Sequence, residues 1–500
     1  KEMLMDKVKE APKADKEKPT PEEEKAEKEK KEQLIKEKQA VKLTDDFLAL
    51  MPVVSPDFKQ VIYLSSPLRY IHAFVTAFKR FSLEKYEEKT NVTEIVEEPN
   101  TEFNGINGYH DVYKNNGWLS DSKHYVFASH FRGSTSIFVV NTENGKLKKI
   151  NVNAHAGEDW NLLKIHNDRV IASVSTVSGQ NRLAIYSGIN LAAENLEGVL
   201  SGKWHFYDPT EGSKTPLKFP GMISIEERGK FVEEIITKDG VEGFFWSIQD
   251  FKDKKGNVIQ DCDKPLILNL HGGPHGCTSA GYGHLLYYWL CKGYNILCPN
   301  FSGSTGFGQK FMDALTTKNG KIDRDEIMGL LNLALERKLG NPEKICVTGG
   351  SYGGFLSFVL LNDYPEKFRV AIIRNPAINL LHLMYQSDIP DWVFAETLGT
   401  DYNTNPTEAD LIKIWEASPS YVINKDIKAK ILVQLGGNDR RVPPEGMIDY
   451  FRRLKKSGVD IECHLYPNEN HGLASNIESE FDGTLKRILY LEQYMPGFDQ

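Results

Sequence analysis

The chain has 500 residues, 40% of them hydrophobic and 26% charged, with a formal net charge of −8. That length holds two or more domains and at least one large core, and the balance is ordinary for a soluble globular protein. The modest negative charge argues against nucleic acid or an anionic membrane as a partner, and no run of about 18 apolar residues marks a transmembrane helix.

Residues 1–42 are dominated by Lys and Glu and begin without an apolar signal-peptide core. Such a segment cannot bury a core; the expectation is a solvated arm, disordered or a single helix with Glu/Lys neighbours. Residues 43–245 carry short β-type runs between turn signals: QVIYLSS, YIHAFVTAF, HYVFASHF, SIFVVNT, RVIASVS and RLAIYSG. SPDFKQVIYL and LSDSKHYVFA repeat one pattern, Ser and Asp in a turn, then Lys, then a β run, with Asp57 and Asp121 64 positions apart (121 − 57). Repeated turn chemistry between short strands predicts an all-β, partial β-propeller-like domain; pattern alone also permits a sandwich.

From residue 246 to 500 the period changes. Apolar runs such as PLILNL, YNILCP, KICVTG, VAIIRN, AKILVQLG and IECHLYP alternate with helical stretches such as RDEIMGLLNLALERKL. Near-continuous apolar strands separated by helices predict a mostly parallel, doubly wound sheet of the α/β-hydrolase kind. All six cysteines lie in the second half without a CxxC pair or a metal-ligand cluster, so buried free thiols in a reducing, cytoplasmic compartment are expected. The N-x-S/T triplets at Asn91 and Asn300 read as chance matches.

Within the α/β region, ICVTGGSYGGFLSF sets one serine among four glycines between a strand and a helix. Gly349-Gly350-Ser351-Tyr352-Gly353 fits G-x-S-x-G, the sharp turn that exposes a nucleophilic serine at the start of a helix. A serine nucleophile needs a base and an orienting acid, which in this fold follow in the order Ser, Asp or Glu, His. Asp439 lies past the strand in ILVQLGGNDRRVP and His471 past the next in ECHLYPNENHGL, 88 (439 − 351) and 32 (471 − 439) residues on. His464 falls inside a strand and reads as a packing residue. The oxyanion should be held by the N–H of Tyr352 and by one from the glycine turn His271-Gly272-Gly273-Pro274, with Gly273 the choice.

HGGPHG, FSGSTGFGQ, GGSYGGF, RNPAINL, SDIPDW, GGNDRRVPPEGM and ENHGL, in that order, resemble the hydrolase domain of the prolyl oligopeptidase family, nearest its acylaminoacyl-peptidase branch. The resemblance covers about residues 245–495 and implies a propeller cap that filters substrates by size. It implies removal of an N-acylated residue from the amino terminus of short peptides by Ser351, Asp439 and His471, with Gly273 and Tyr352 as oxyanion donors. It also implies that Arg441 binds a substrate carbonyl; an ordinary ion pair is the alternative. No metal or organic cofactor is expected. The rivals are a dipeptidyl or oligopeptidyl peptidase or an esterase of the same family, and a non-catalytic propeller scaffold. Three departures stand out: a cap with room for about four blades of roughly 45 residues, Phe301-Ser302 where the family usually carries an aromatic-Arg pair, and Tyr352 where animal members often carry His. A short, open cap calls for a partner over its edge strands, a homo-oligomer being the candidate.

Overall fold

A computed structural model describes residues 42–66, 75–99, 105–106, 116–151, 157–207 and 225–498. The expected Lys/Glu-rich arm lies almost wholly outside these residues. Lys1–Asp45 separates as a unit of its own, and everything below belongs to the unit Asp46–Gln500.

The amino-terminal part builds three antiparallel sheets from sequential hairpins. The first holds four strands between Leu48 and Asn91, the second three between His124 and Lys149, and the third four between Asp159 and Tyr207. The repeated turn recurs in structure. Phe58 and Ser122 take the same left-handed backbone (φ 59° and 57°). The Asp before each accepts the following Lys N–H, at 3.1 Å for Asp57 and 3.0 Å for Asp121. Successive turns also interlock: Asp57 N–H donates to Ser122 Oγ (3.1 Å), and Ser120 Oγ to Asp168 (2.6 Å). The strand His124–Phe131 is buried on both faces because alternate side chains point opposite ways. Tyr125 and Phe127 pack with Ile62, Leu64 and Phe78 of the first sheet, Val126 with Trp160 and Val170 of the third. Three sheets stand among the described residues where about four blades were expected.

The largest sheet has eight strands: β1 (Lys230–Lys238), β2 (Val241–Gln249), β3 (Leu266–Leu270), β4 (Asn295–Asn300), β5 (Ile345–Gly350), β6 (Val370–Arg374), β7 (Lys430–Gly436) and β8 (Ile461–Tyr466), in the order β1-β2-β4-β3-β5-β6-β7-β8. Its first strand lies upstream of the boundary expected at 245 and its second straddles it. They form an antiparallel hairpin that pairs onto β4, so their short alternating runs look like more of the cap. From β4 onward every pairing is parallel. Helices cover both faces: α1 (His284–Cys291), α2 (Ile322–Glu336), α3 (Tyr352–Asp363), α4 (Glu445–Lys456) and α5 (Ile477–Tyr494). Neighbours in β5 therefore enter different cores, Val347 with Leu331 and Phe355, Cys346 with Trp289 and Leu491. All six cysteines are free; Cys291, Cys298 and Cys346 are buried and the others half-buried. Asn300 is buried and bonded to Thr278, where no glycan could reach.

Candidate active site

Ser351 sits between β5 and α3 with φ 58° and ψ −120°, a conformation that costs a non-glycine residue energy and is held by its surroundings. Its N–H donates to Arg374 O (2.9 Å) and its carbonyl accepts from Phe355 N (3.0 Å). A Cβ on Gly349 would overlap the Gly353 carbonyl, and one on Gly353 the Leu270 carbonyl. Gly350 has room, its nearest neighbour being Arg374 Nη2 at 3.4 Å. The two outer glycines of G-x-S-x-G thus let strand and helix close around the serine.

Tyr352 is the first residue of α3, where an N–H has no intrahelical acceptor and the helix dipole favours negative charge. Its ring is buried, stacked on Phe355 at 4.9 Å, and its hydroxyl donates to Asp323 Oδ2 at 2.6 Å. Burial pushes the Asp323 carboxyl up to about 6, against the opposing pull of that hydrogen bond. Gly273 follows β3 with φ 123° and lies beside Gly272, whose own Cβ position is 3.4 Å from Ser351 Cβ.

The 271–276 turn is stitched to the 303–305 segment. His271 Nε2 lies 2.9 Å from Ser304 Oγ, Thr305 N–H donates to Gly276 O (2.8 Å), and the His271 ring stacks on Phe301 at 4.3 Å. Burial pulls His271 down to about 4 and holds it neutral. Ser302, at the place where the family resemblance led us to expect Arg, donates to Glu326 through its N–H (2.7 Å) and hydroxyl (2.6 Å).

His471 Nδ1 donates to Asp439 Oδ2 at 2.7 Å. Asp439 is buried, and its other oxygen accepts the N–H groups of Arg441 and Val442, both at 2.9 Å. Those bonds fix the carboxylate so that it orients the imidazole and leaves Nε2 to face outward. Asn375, which sequence reasoning passed over, ties the two loops: its amide donates to His471 O (2.9 Å) and accepts from Gly436 N (2.8 Å). Arg441 pairs with Asp388, Nε to Oδ1 2.6 Å, and the Arg441 guanidinium holds that carboxyl below its ordinary range.

Gly273, Ser351, Tyr352, Arg441 and His471 all line one cavity of about 350 Å³, with Asp439 behind His471. Leu383, Ile389, Trp392 and Val393 make its apolar wall, and no carboxylate is among its lining residues. His464 lies in β8, 3.7 Å from Glu462 and away from this cavity's lining. Among the described residues no cluster of His, Cys, Asp and Glu could hold a metal ion. Burial pushes the Cys277 and Cys298 thiols up to about 12, so neither supplies a thiolate nucleophile.

Residues 281–496 match the prolyl oligopeptidase family, and residues 15–208 match the amino-terminal domain of acylamino-acid-releasing enzyme. The rat acylamino-acid-releasing enzyme is 30% identical over 473 residues, which cover 91% of this chain and 60% of the rat protein. The human protein is 29% identical over 466 residues with the same coverage. The chain thus spans about 60% of the length of these relatives. Among solved structures, Pyrococcus horikoshii acylaminoacyl peptidase superposes with a TM-score of 0.66 at 16% identity, over 89% of this chain and 63% of that one. A puromycin hydrolase gives 0.61 at 14%, over 90% and 70%. At those identities the likeness is one of fold.

Proposed function

From the matches of residues 281–496 to the prolyl oligopeptidase family and of residues 15–208 to the amino-terminal domain of acylamino-acid-releasing enzyme, we propose that the chain is a serine peptidase of that family that releases an N-acylated amino acid from short peptides. The observation that carries the reading is the His471–Asp439 hydrogen bond within one cavity with Ser351 at a nucleophile elbow. His471 takes the Ser351 proton, and Ser351 attacks the carbonyl of the acylated residue. The N–H groups of Tyr352 and Gly273 receive the oxyanion, the shortened peptide leaves, and water releases the N-acylamino acid. Arg441, steadied by Asp388, holds a substrate carbonyl near the scissile bond.

The lining of the cavity favours a blocked amino terminus. A free α-ammonium would need a carboxylate beside it, and none is among the described residues that line this cavity; an acyl group and an apolar side chain suit the Leu383–Trp392 wall. Short peptides are the proposed substrates, the cytoplasm the proposed compartment, and a second copy of the chain the proposed cover for open cap edges. The test is hydrolysis of N-acetyl-alanyl p-nitroanilide beside alanyl and glycyl-prolyl p-nitroanilides, with Ser351→Ala as control. Cleavage of the acetylated substrate alone, lost in the variant, is expected. Preference for a free-amine substrate would move the assignment to a dipeptidyl peptidase.

A further inference from the structure

His275 follows the Gly273-Pro274 turn directly and lines the catalytic cavity, yet the mechanism above leaves it without a task. Its side chain is 3% exposed, and both ring nitrogens face acceptors. Nδ1 is 2.8 Å from the Gly303 carbonyl and Nε2 is 2.9 Å from Glu396 Oε1. A neutral imidazole donates from only one nitrogen, so it would leave a lone pair against one of these acceptors. Glu396 is itself 1% exposed and sits on the π-helical turn Phe394–Leu398. Its second oxygen is buried without a hydrogen-bond partner. Leaving a buried carboxylate half satisfied is costly, and a neutral residue would avoid that cost.

We propose that His275 and Glu396 form a buried imidazolium–carboxylate pair that anchors the oxyanion turn and keeps a fixed positive charge beside the reacting carbonyl. His275 is thereby a positioning residue for acyl transfer; the inference rests on the serine-peptidase reading. The pair joins two parts of the cavity. The turn with Gly273 lies at one end, and the segment with Trp392 and Val393, which line the apolar wall, leads into Glu396 at the other. Glu396 is in turn fixed by its carbonyl, which accepts from Thr317 N at 2.8 Å. A turn held from both sides keeps the donor N–H where charge develops, and preorganised donors are worth several kcal/mol to such a step.

Among the described residues, the titratable groups around His275 are Glu396 on the π turn, Asp313 on the helix Gln309–Asp313 and the neutral His271 on its own turn. Burial pulls the His275 imidazolium down, but Glu396, the Gly303 carbonyl and Asp313 outweigh it and hold His275 above its ordinary value. Its charge is therefore present below that raised value and lost as pH rises through it, which gives kcat an alkaline limb.

The test uses the full chain, with Glu396→Gln and His275→Gln assayed on N-acetyl-alanyl p-nitroanilide from acid to alkaline pH. In Glu396→Gln the new side-chain amide can donate to Nε2 of His275 while Nδ1–H still donates to Gly303, so the turn keeps its bonds but the imidazole is neutral. Glu396→Gln should lower kcat at least tenfold with KM within twofold, and lose the alkaline limb. His275→Gln should lose more. If His275→Gln does not fold, Glu396→Gln decides alone. Native kcat and pH profile in Glu396→Gln, even with a lowered Tm, would overturn the pair's role. Fluorophosphonate labelling of the unaltered chain at Ser351 separates the two failures. Labelling with a native-like Glu396→Gln sinks only this inference; no labelling sinks the serine reading and the inference with it.

Discussion

The antiparallel sheets between Leu48 and Tyr207 and the parallel sheet from β4 to β8 solve the same problem differently. In the parallel sheet, helices bury both faces, and the loops beyond the carboxyl ends of β3, β5, β7 and β8 supply all six expected site residues. In the antiparallel sheets, one strand is buried against the sheets on either side, and none of their residues lines the catalytic cavity. They reach it at second hand, through the 303–309 segment. That segment holds the oxyanion turn on one side through Ser304 and Thr305. On the other, Arg132 N–H donates to Gly306 O (2.8 Å) and Val75 N–H to Gln309 Oε1 (2.8 Å). The proposed chemistry thus belongs to one region and its framing to the other.

Variants sharpen this contrast. Ser351→Ala should lower kcat by at least about 10⁵-fold with Tm unchanged. Asp439→Asn should come close, roughly 10⁴-fold in kcat, because the wrong tautomer then faces Ser351; circular dichroism should show the fold intact. Phe127→Ala, in the sheet region, should do the reverse: about 3–5 kcal/mol of stability lost by denaturant unfolding, with kcat per folded molecule unchanged. A thousandfold loss of kcat there would break the division of labour.

Smaller effects test the supports of the site. Gly353→Ala drives a Cβ into the Leu270 carbonyl and should lose about 1–3 kcal/mol together with most activity, while Gly350→Ala should keep both. Asn375→Ala strands His471 O and Gly436 N and should lose about 1–3 kcal/mol, with kcat falling more than KM changes. His271→Gln is the smallest. The native histidine is held neutral down to about 4, whereas the unfolded one protonates near its ordinary value of 6.5. Between those limits the unfolded state binds the extra proton, so this group's stabilisation is full above pH 6.5 and lost as pH falls toward 4. The variant should flatten that part of the stability curve in denaturant titrations.

The glycine turn at Ser351 and the Asp439 and His471 loops, the proposed nucleophile, acid and base, were legible because each needs a local pattern: glycines packed around Ser351, and a polar residue just past an apolar strand at Asp439 and His471. The repeated turn at Asp57 and Asp121 was legible for the same reason, since its bonds close within four residues. Asn375, the Asp323–Tyr352 bond and the His275–Glu396 pair were not. Their partners lie 96, 29 and 121 positions apart, and no periodicity marks a bond made across a fold. The expected boundary at 245 cuts the β1–β2 hairpin, because antiparallel strands look alike whether they end a cap or edge a hydrolase sheet. Ser302 was noticed as a departure, but its use as a donor to Glu326 needed the packed α2 helix.

The most direct measurement is fluorophosphonate labelling followed by peptide mapping, on the unaltered chain and on Asp439→Asn and His471→Gln. A working relay in this cavity predicts one labelled site, Ser351, with labelling at least a hundredfold slower in both variants. Labelling at another serine, or at Ser351 with equal rates in all three proteins, would contradict the assignment of Asp439 and His471 as the partners of an activated Ser351.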